Sequence, residues 1–308
     1  MKINTVAGPL DTTDLGPTLM HEHVSCADWS MRMNFGRSFF KYEKVVETAV
    51  AMFTKMSQEC GIKTVVDGTP VNLGRDVRLI KEVADRTGLN FVVSGGFYYQ
   101  EEPGMAFLPQ EALIDLMLEE CQNGVAGTLI VPGIMKTAVG AEVTPYLEKI
   151  LSAVGQVAAQ TGLPLFCHHN VDNRNGGQIL DIFEAQGMAP NKIILGHSGD
   201  TDNLEYLLAM LDRGCYIGMD RFGYCDIMLS LERRVATIAA LCKQGFTNRM
   251  FLSHDLAAQL FFDGSSQGRP DFTFIHKTVL PALLESGVTQ AQIDEMLNDN
   301  PRRFFDAS

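Results

Sequence analysis

No stretch of this sequence reaches about 18 consecutive apolar residues, and the opening MKINTVAGPLDTTD has no apolar core, so neither a membrane span nor a secretory leader is expected. C-x-x-C pairs are missing too. Cys26, Cys60, Cys121, Cys167, Cys215, Cys225 and Cys242 stand apart and leave one over, the pattern of reduced thiols in a cytoplasmic protein rather than of a disulfide framework. Positive charge is scarce: 25 Lys and Arg face 37 Asp and Glu, for a net charge of -12. Such a surface repels phosphate backbones and anionic headgroups, which points away from nucleic acid or membrane and towards a small-molecule partner. Pro/Ser-rich linkers, charge runs and low-complexity tracts are absent, so residues 1–308 read as one domain. Neither G-x-G-x-x-G nor G-x-x-x-x-G-K-[ST] occurs, which disfavours an open nucleotide-binding sheet.

What is present is a large apolar fraction, 46%, arranged as short apolar runs alternating with helix-like segments. Eight runs stand out: PTLMH (17–21), KTVVDG (63–68), NFVVSGG (90–96), LIVPGIMK (129–136), LPLFCH (163–168), KIILGH (192–197), CYIGMD (215–220) and RMFLSHD (249–255). Between them lie segments such as DNLEYLLAMLDRG, where Leu204, Leu207, Leu208 and Leu211 recur at helical spacing and Gly214 follows as a stop. Eight strands alternating with helices predict a single (β/α)8 barrel, whose site lies at the C-terminal ends of the strands.

The residues at those ends are His21 and His23, Lys136, His168, His197 and Asp255. On a strand of period two, His21 and His23 point to one side and Glu22 to the other. Each residue has an ordinary explanation alone: a hydrogen-bonded rim histidine, a solvated lysine, a helix-capping aspartate. His254 and His276 are read in that way, as core or rim residues. Four of the seven histidines at converging strand ends are harder to explain so. Imidazole and carboxylate donors suit zinc and its neighbours. A desolvated lysine with a neutral amine can add carbon dioxide, giving a carbamate able to bridge two metals.

With LMHEHV, GIMKTA, PLFCHH, IILGHSGDTDNLEYL, GMDRFG, LSHD and LNDNPRRFF in this order, the whole chain resembles the phosphotriesterase family of the amidohydrolase superfamily, and within it the phosphotriesterase-like lactonase branch. The resemblance implies two divalent metals: zinc, with cobalt, manganese or iron as alternatives. It makes His21, His23 and Asp255 ligands of the more buried metal and His168 and His197 ligands of the more exposed one, with carboxylated Lys136 bridging them. His169 stays open as the alternative to His168. Arg221 is placed beside the substrate pocket, or in a salt bridge within the barrel. The aromatic cluster after the third strand puts Phe97 where the lactonases carry a tyrosine, and Tyr99 at the second tyrosine position.

The implied reaction is hydrolysis of a lactone or carboxylic ester by a hydroxide bridging the metals. Asp255 would take its proton, Arg221 or Tyr99 would orient the leaving portion, and phosphotriester cleavage would be a side activity. The alternatives are a phosphotriester, phosphorylated sugar lactone or N-acyl amide as the main substrate, or a non-catalytic barrel that only binds. The resemblance further implies a homodimer, and residues 260–274 read as a lid or as an ordinary loop.

Overall fold

The computed structural model describes residues 1–102, 104–224, 228–260 and 270–307. Most of the lid candidate, 261–269, and Cys225 lie outside these residues. The strands are β1 (Lys2–Thr5), β2 (Gly8–Asp11), β3 (Thr18–Cys26), β4 (Thr64–Asp67), β5 (Asn90–Gly96), β6 (Ile134–Ala138), β7 (Leu165–His168), β8 (Ile193–Gly196), β9 (Tyr216–Met219), β10 (Met250–Leu252) and β11 (Ala257–Leu260). β1 and β2 form an antiparallel hairpin; the other nine form one sheet in the order β10-β9-β8-β7-β6-β5-β4-β3-β11, with every pairing parallel.

The sheet closes because β10 and β11 are two halves of one eighth strand. β10 pairs with β9 and β11 with β3, and the bend between them is stitched to β3 by Asp255 N–H to the His21 carbonyl (3.1 Å) and His23 N–H to the Leu256 carbonyl (2.8 Å). The predicted (β/α)8 barrel is therefore the fold, with corrections at three strands. The strand expected at 17–21 runs on to Cys26, the one expected at 249–255 breaks after Leu252, and the one expected at 129–136 begins only at Ile134. In the last case residues 129–132 lie beside the N-terminal hairpin instead of within the sheet: the Asn4 amide donates to the Pro132 carbonyl, and Leu129 is fully exposed.

Helices cover the outside. Thr144 caps the helix Pro145–Thr161 by accepting the Leu147 N–H, with proline in its first turn and Gly162 turning left-handed after it. Its buried Leu147, Ile150, Leu151, Val154, Val157 and Ala158 recur at helical spacing and pack on the sheet. Among the described residues, no helix is long and apolar enough to cross a membrane.

Inside the barrel, each strand contributes one apolar residue to a lower layer: Met20, Val66, Val92, Ile134, Phe166, Ile194, Tyr216 and Phe251, closed from below by Ile3, Leu15, Phe304 and Phe305. Side chains alternate along a strand, so two residues beyond this plug the same interior face appears again, now at the open end. That second layer is polar.

Candidate functional site

Two residues beyond Ile134 comes Lys136, and two beyond Phe166 comes His168. Four beyond Tyr216 and Phe251 come Asp220 and Asp255. β3 obeys a different arithmetic, because Met20 already faces inward and His21 should then face out. A register shift between Leu19 and Glu22 against β4 inserts one extra residue and turns both His21 and His23 inward. Gly68 on the next strand leaves the room needed, since a Cβ there would lie 2.7 Å from the His21 ring. His197, Arg221 and Asp255 stand where three strands end, each with left-handed backbone (φ 65°, 63° and 55°). Such backbone is costly for residues with a Cβ, and it swings these three side chains over the barrel mouth.

The imidazoles are fixed from behind. Asp220, almost wholly buried, accepts from His21 Nδ1 (2.9 Å), His197 Nδ1 (2.8 Å) and the His197 backbone N–H (2.9 Å). Burial opposes its ionisation, yet the His197 and His21 contacts hold it well below the usual carboxylate range. An ionised carboxylate only accepts, so both Nδ1 atoms carry the proton and both Nε2 atoms present lone pairs inward. His23 Nδ1 is likewise engaged from outside, by Thr69 Oγ1 at 2.8 Å. Thr69 is in turn placed by Asp67, whose carboxylate accepts the Thr69 N–H (3.0 Å).

The inward atoms crowd together. Asp255 Oδ1 lies 3.1 Å from His23 Nε2 and 3.3 Å from His21 Nε2; Lys136 Nζ is 3.0 Å from His21 Nε2; His197 Nε2 is 2.7 Å from His168 Nδ1. Burial, then the neighbouring His197 ring, pulls His168 well below its ordinary value, and burial with the Arg221 charge takes His197 down to about 3. Both are neutral. His21 is lowered by burial and by Lys136. His23 moves the other way: burial opposes its charge, but Cys26 and Asp255 favour it. Burial brings Lys136 down to about 8 against the pull of Asp255 and Asp220. Asp255, despite burial, is held well below the carboxylate range by neighbouring His21 and by the His23 hydrogen bond.

This arrangement fits divalent cations. Imidazole nitrogens and an ionised carboxylate converge on one small volume while the outer ring nitrogens of His21, His23 and His197 are bonded elsewhere, as the back-side partners of metal-binding histidines are. The triads His21, His23, Asp255 and His21, His197, Asp220 each bring their donor atoms within 4.8 Å of one another. In the second triad the donor of His21 is the Nδ1 already bonded to Asp220, so that triad reads as the support and the first as the cradle.

The structure brings His21, His23, Lys136, His168, His197 and Asp255 together. It separates His168 from His169, whose ring is buried and points back to the Gly196 carbonyl (2.5 Å). Arg221 stands in salt bridges at the barrel mouth. Its Nε donates to Asp255 Oδ2 (3.2 Å) and its Nη1 to Asp200 Oδ2 (2.8 Å), and it also lines two cavities beside the site. One, about 260 Å³, is walled largely by Cys26, Leu73, Tyr98, Ala257 and Leu260. The other, about 350 Å³, is polar, with Asn170, Asp172 and Asp200.

The aromatic assignment needs correcting. Phe97 lies in the core between barrel and helices, since it is the next residue after the inward Gly96 and strand alternation turns it out. Tyr99 packs against that core with its ring tilted on Tyr98 at 4.4 Å between centroids and lying 5.7 Å from the His168 ring. The phenol at the site belongs to Tyr98, 3.2 Å from His168 Nδ1. Sequence reasoning also missed Asp220 and Thr69. Counting inward positions along β9 from Tyr216 through Gly218 would have reached Asp220; nothing comparable marks Thr69.

Comparison with known proteins agrees with this fold. The family model described as the phosphotriesterase family matches residues 1–305. A solved structure of the phosphotriesterase from Mycobacterium tuberculosis superposes with a TM-score of 0.94 at 35% identity, covering 100% of this chain and 99% of that one. Among curated relatives, the aryldialkylphosphatase of Saccharolobus solfataricus is 29% identical over 96% of both chains. The N-acetyltaurine hydrolase of Rattus norvegicus is 26% identical over 99% of this chain and 97% of that one.

Proposed function

The chain belongs to the phosphotriesterase family of hydrolases, and on that footing we propose that it is a binuclear metal-dependent hydrolase that cleaves a lactone or carboxylic ester. In this reading His21, His23 and Asp255 hold the more buried metal and His168 and His197 the more exposed one, with Lys136, carboxylated, between them. Zinc suits this donor set, and cobalt, manganese or iron are compatible with it. The observation carrying the reading is the back-side bonding just described: Asp220 fixes the tautomers of His21 and His197, Thr69 engages the Nδ1 of His23, and the three Nε2 atoms face the interior.

When bound, the metal pair supplies Lewis acidity and an activated water. The chain's own groups do the rest. Asp255 accepts the proton of the attacking water, and Arg221, anchored to both Asp255 and Asp200, keeps that carboxylate turned to the site. Tyr98 is positioned to orient a substrate carbonyl or leaving oxygen beside His168. Cys26, Leu73 and Ala257 form a small apolar cluster with Tyr98 and Leu260, which favours an uncharged acyl or alkyl portion in that cleft.

The second reading is hydrolysis of an N-acyl amide or phosphotriester by the same centre. It draws on the names of the two curated relatives above, and on the polar cavity, which would take a hydrophilic head group. A panel of lactones, aryl esters, N-acyl amino acids and organophosphates separates the two. The highest kcat/KM is expected for a lactone or ester, with slow phosphotriester cleavage; turnover confined to N-acyl compounds would overturn the first reading in favour of the second. Tyr98→Phe is expected to lower kcat/KM about tenfold, the scale of one lost site hydrogen bond, whereas Tyr99→Phe should change it less than about threefold. Equal effects of the two would contradict the assignment. A homodimer remains part of the proposal, and light scattering at twice the chain mass is the expected result.

A further inference from the structure

Glu22 stands between the two inward histidines of β3 and points the other way, yet it is completely buried. Among the described residues, its carboxylate meets no lysine or arginine. One oxygen, Oε1, accepts both the backbone N–H of His254 and its Nδ1–H (2.7 Å each), and the other, Oε2, accepts the N–H of Leu256 (3.0 Å). These three donors flank Asp255 on both sides, and Asp255 is the left-handed residue at the break in the eighth strand. His254 is itself fully buried, and its Nε2 accepts the Ile275 N–H (3.2 Å) at the start of the helical segment Ile275–Val279.

We infer that Glu22 and His254 form a positioning pair that sets the distance between the His21/His23 face and the Asp255 carboxylate. The inference rests on the proposed role of Asp255 and adds residues that touch neither substrate nor metal. Three observations carry it. A left-handed aspartate is costly and must be held by its surroundings. Among the described residues, two main-chain bonds tie the bend to β3, Asp255 N–H to His21 and His23 N–H to Leu256; the Ser253 hydroxyl accepts the His21 N–H, and Glu22 adds three charge-assisted bonds at the same place. Finally, the histidines and the brace share one strand, so loosening Glu22 from residues 254 and 256 changes the separation between the two sides of the cradle. A merely structural ion pair would be indifferent to which donor residue 254 supplies; a positioning pair needs one that reaches Glu22 Oε1.

Residue 254 therefore gives the test. His254→Asn keeps a side-chain N–H at about the place of Nδ1, while His254→Leu fills similar space and donates nothing. Each is loaded with zinc, and the chelator concentration that removes half the metal is measured beside kcat and KM. For His254→Leu we expect about tenfold easier metal removal and about 100-fold lower kcat with KM within about threefold, since misplacing a group near the chemistry by about 1 Å costs on that scale. His254→Asn should return both to within about threefold of the parent. Parent-like chelator resistance in a folded His254→Leu protein, or an Asn variant no better than Leu, would overturn the inference. If His254→Leu does not fold, Glu22→Gln decides: it preserves the shape but turns an N–H towards Leu256, and chelator resistance equal to the parent's would equally overturn it. Because metal retention is read without any substrate, failure of the proposed reaction would leave this test intact.

Discussion

Lys136→Ala should abolish stable metal binding and lower kcat by about a thousandfold or more. Loss of a mere outer-shell partner of a metal site commonly costs 10–100-fold, and this side chain is proposed to serve both metals at once. Lys136 is buried, its Nζ lies 3.0 Å from His21 Nε2 and 3.7 Å above the Phe166 ring, and no carboxylate oxygen is bonded to it. A bare ammonium there is poorly solvated, and burial brings the amine down to about 8. The fold should therefore survive the substitution, which removes a disfavoured charge along with the ligand. A short carboxylate such as acetate or propionate should restore part of the metal content, because the lost group is, in the loaded protein, an anion. The parent carries a matching pH signature. Addition of carbon dioxide needs the neutral amine, so metal uptake in bicarbonate should quicken as pH rises through about 8. Elemental analysis and stopped-flow uptake read both effects; an alanine variant that kept two metals and its rate would contradict the bridging role.

Asp220→Asn is expected to cost about 100-fold in metal affinity or kcat, although Asp220 touches neither metal nor substrate in this scheme. The carboxylate accepts three N–H groups. Asparagine can accept through one oxygen only, and its NH2 then faces an imidazole nitrogen as a donor. One histidine must present a lone pair to that amide and so carry its proton on Nε2, towards the site, where it no longer binds a cation. The same logic makes the wrong tautomer costly in hydrolytic triads. Imidazole nitrogen shifts in NMR spectra report the tautomer directly. Both Nδ1–H tautomers persisting in a folded variant with undiminished metal affinity would contradict this reading of Asp220.

The barrel was legible because its signal is repetitive: buried parallel strands appear as short apolar runs, and eight of them alternate with helical segments. The site was legible because strand ends converge only in a closed barrel, which gives a shared meaning to scattered histidines. What escaped depends on single residues out of phase. The extra residue in β3 changes nothing in the apolar pattern, yet it alone turns His21 inward beside Met20. The break after Leu252 is made by left-handed Asp255 and by side-chain bonds from Glu22, and neither is a local preference of the SHDL sequence. Phe97, Tyr98 and Tyr99 follow β5 without a break, so the choice among them turned on where Gly96 ends the strand rather than on residue type. Glu22 was correctly expected to point away from the centre; that it reaches round to brace Asp255 was not visible from alternation alone.

Anomalous diffraction from crystals grown with zinc and bicarbonate tests the metal centre most directly. Two peaks are expected, one beside His21, His23 and Asp255 and the other beside His168 and His197, with density continuing past Lys136 Nζ towards both. A single peak, or two peaks with the lysine ending at Nζ, would contradict it.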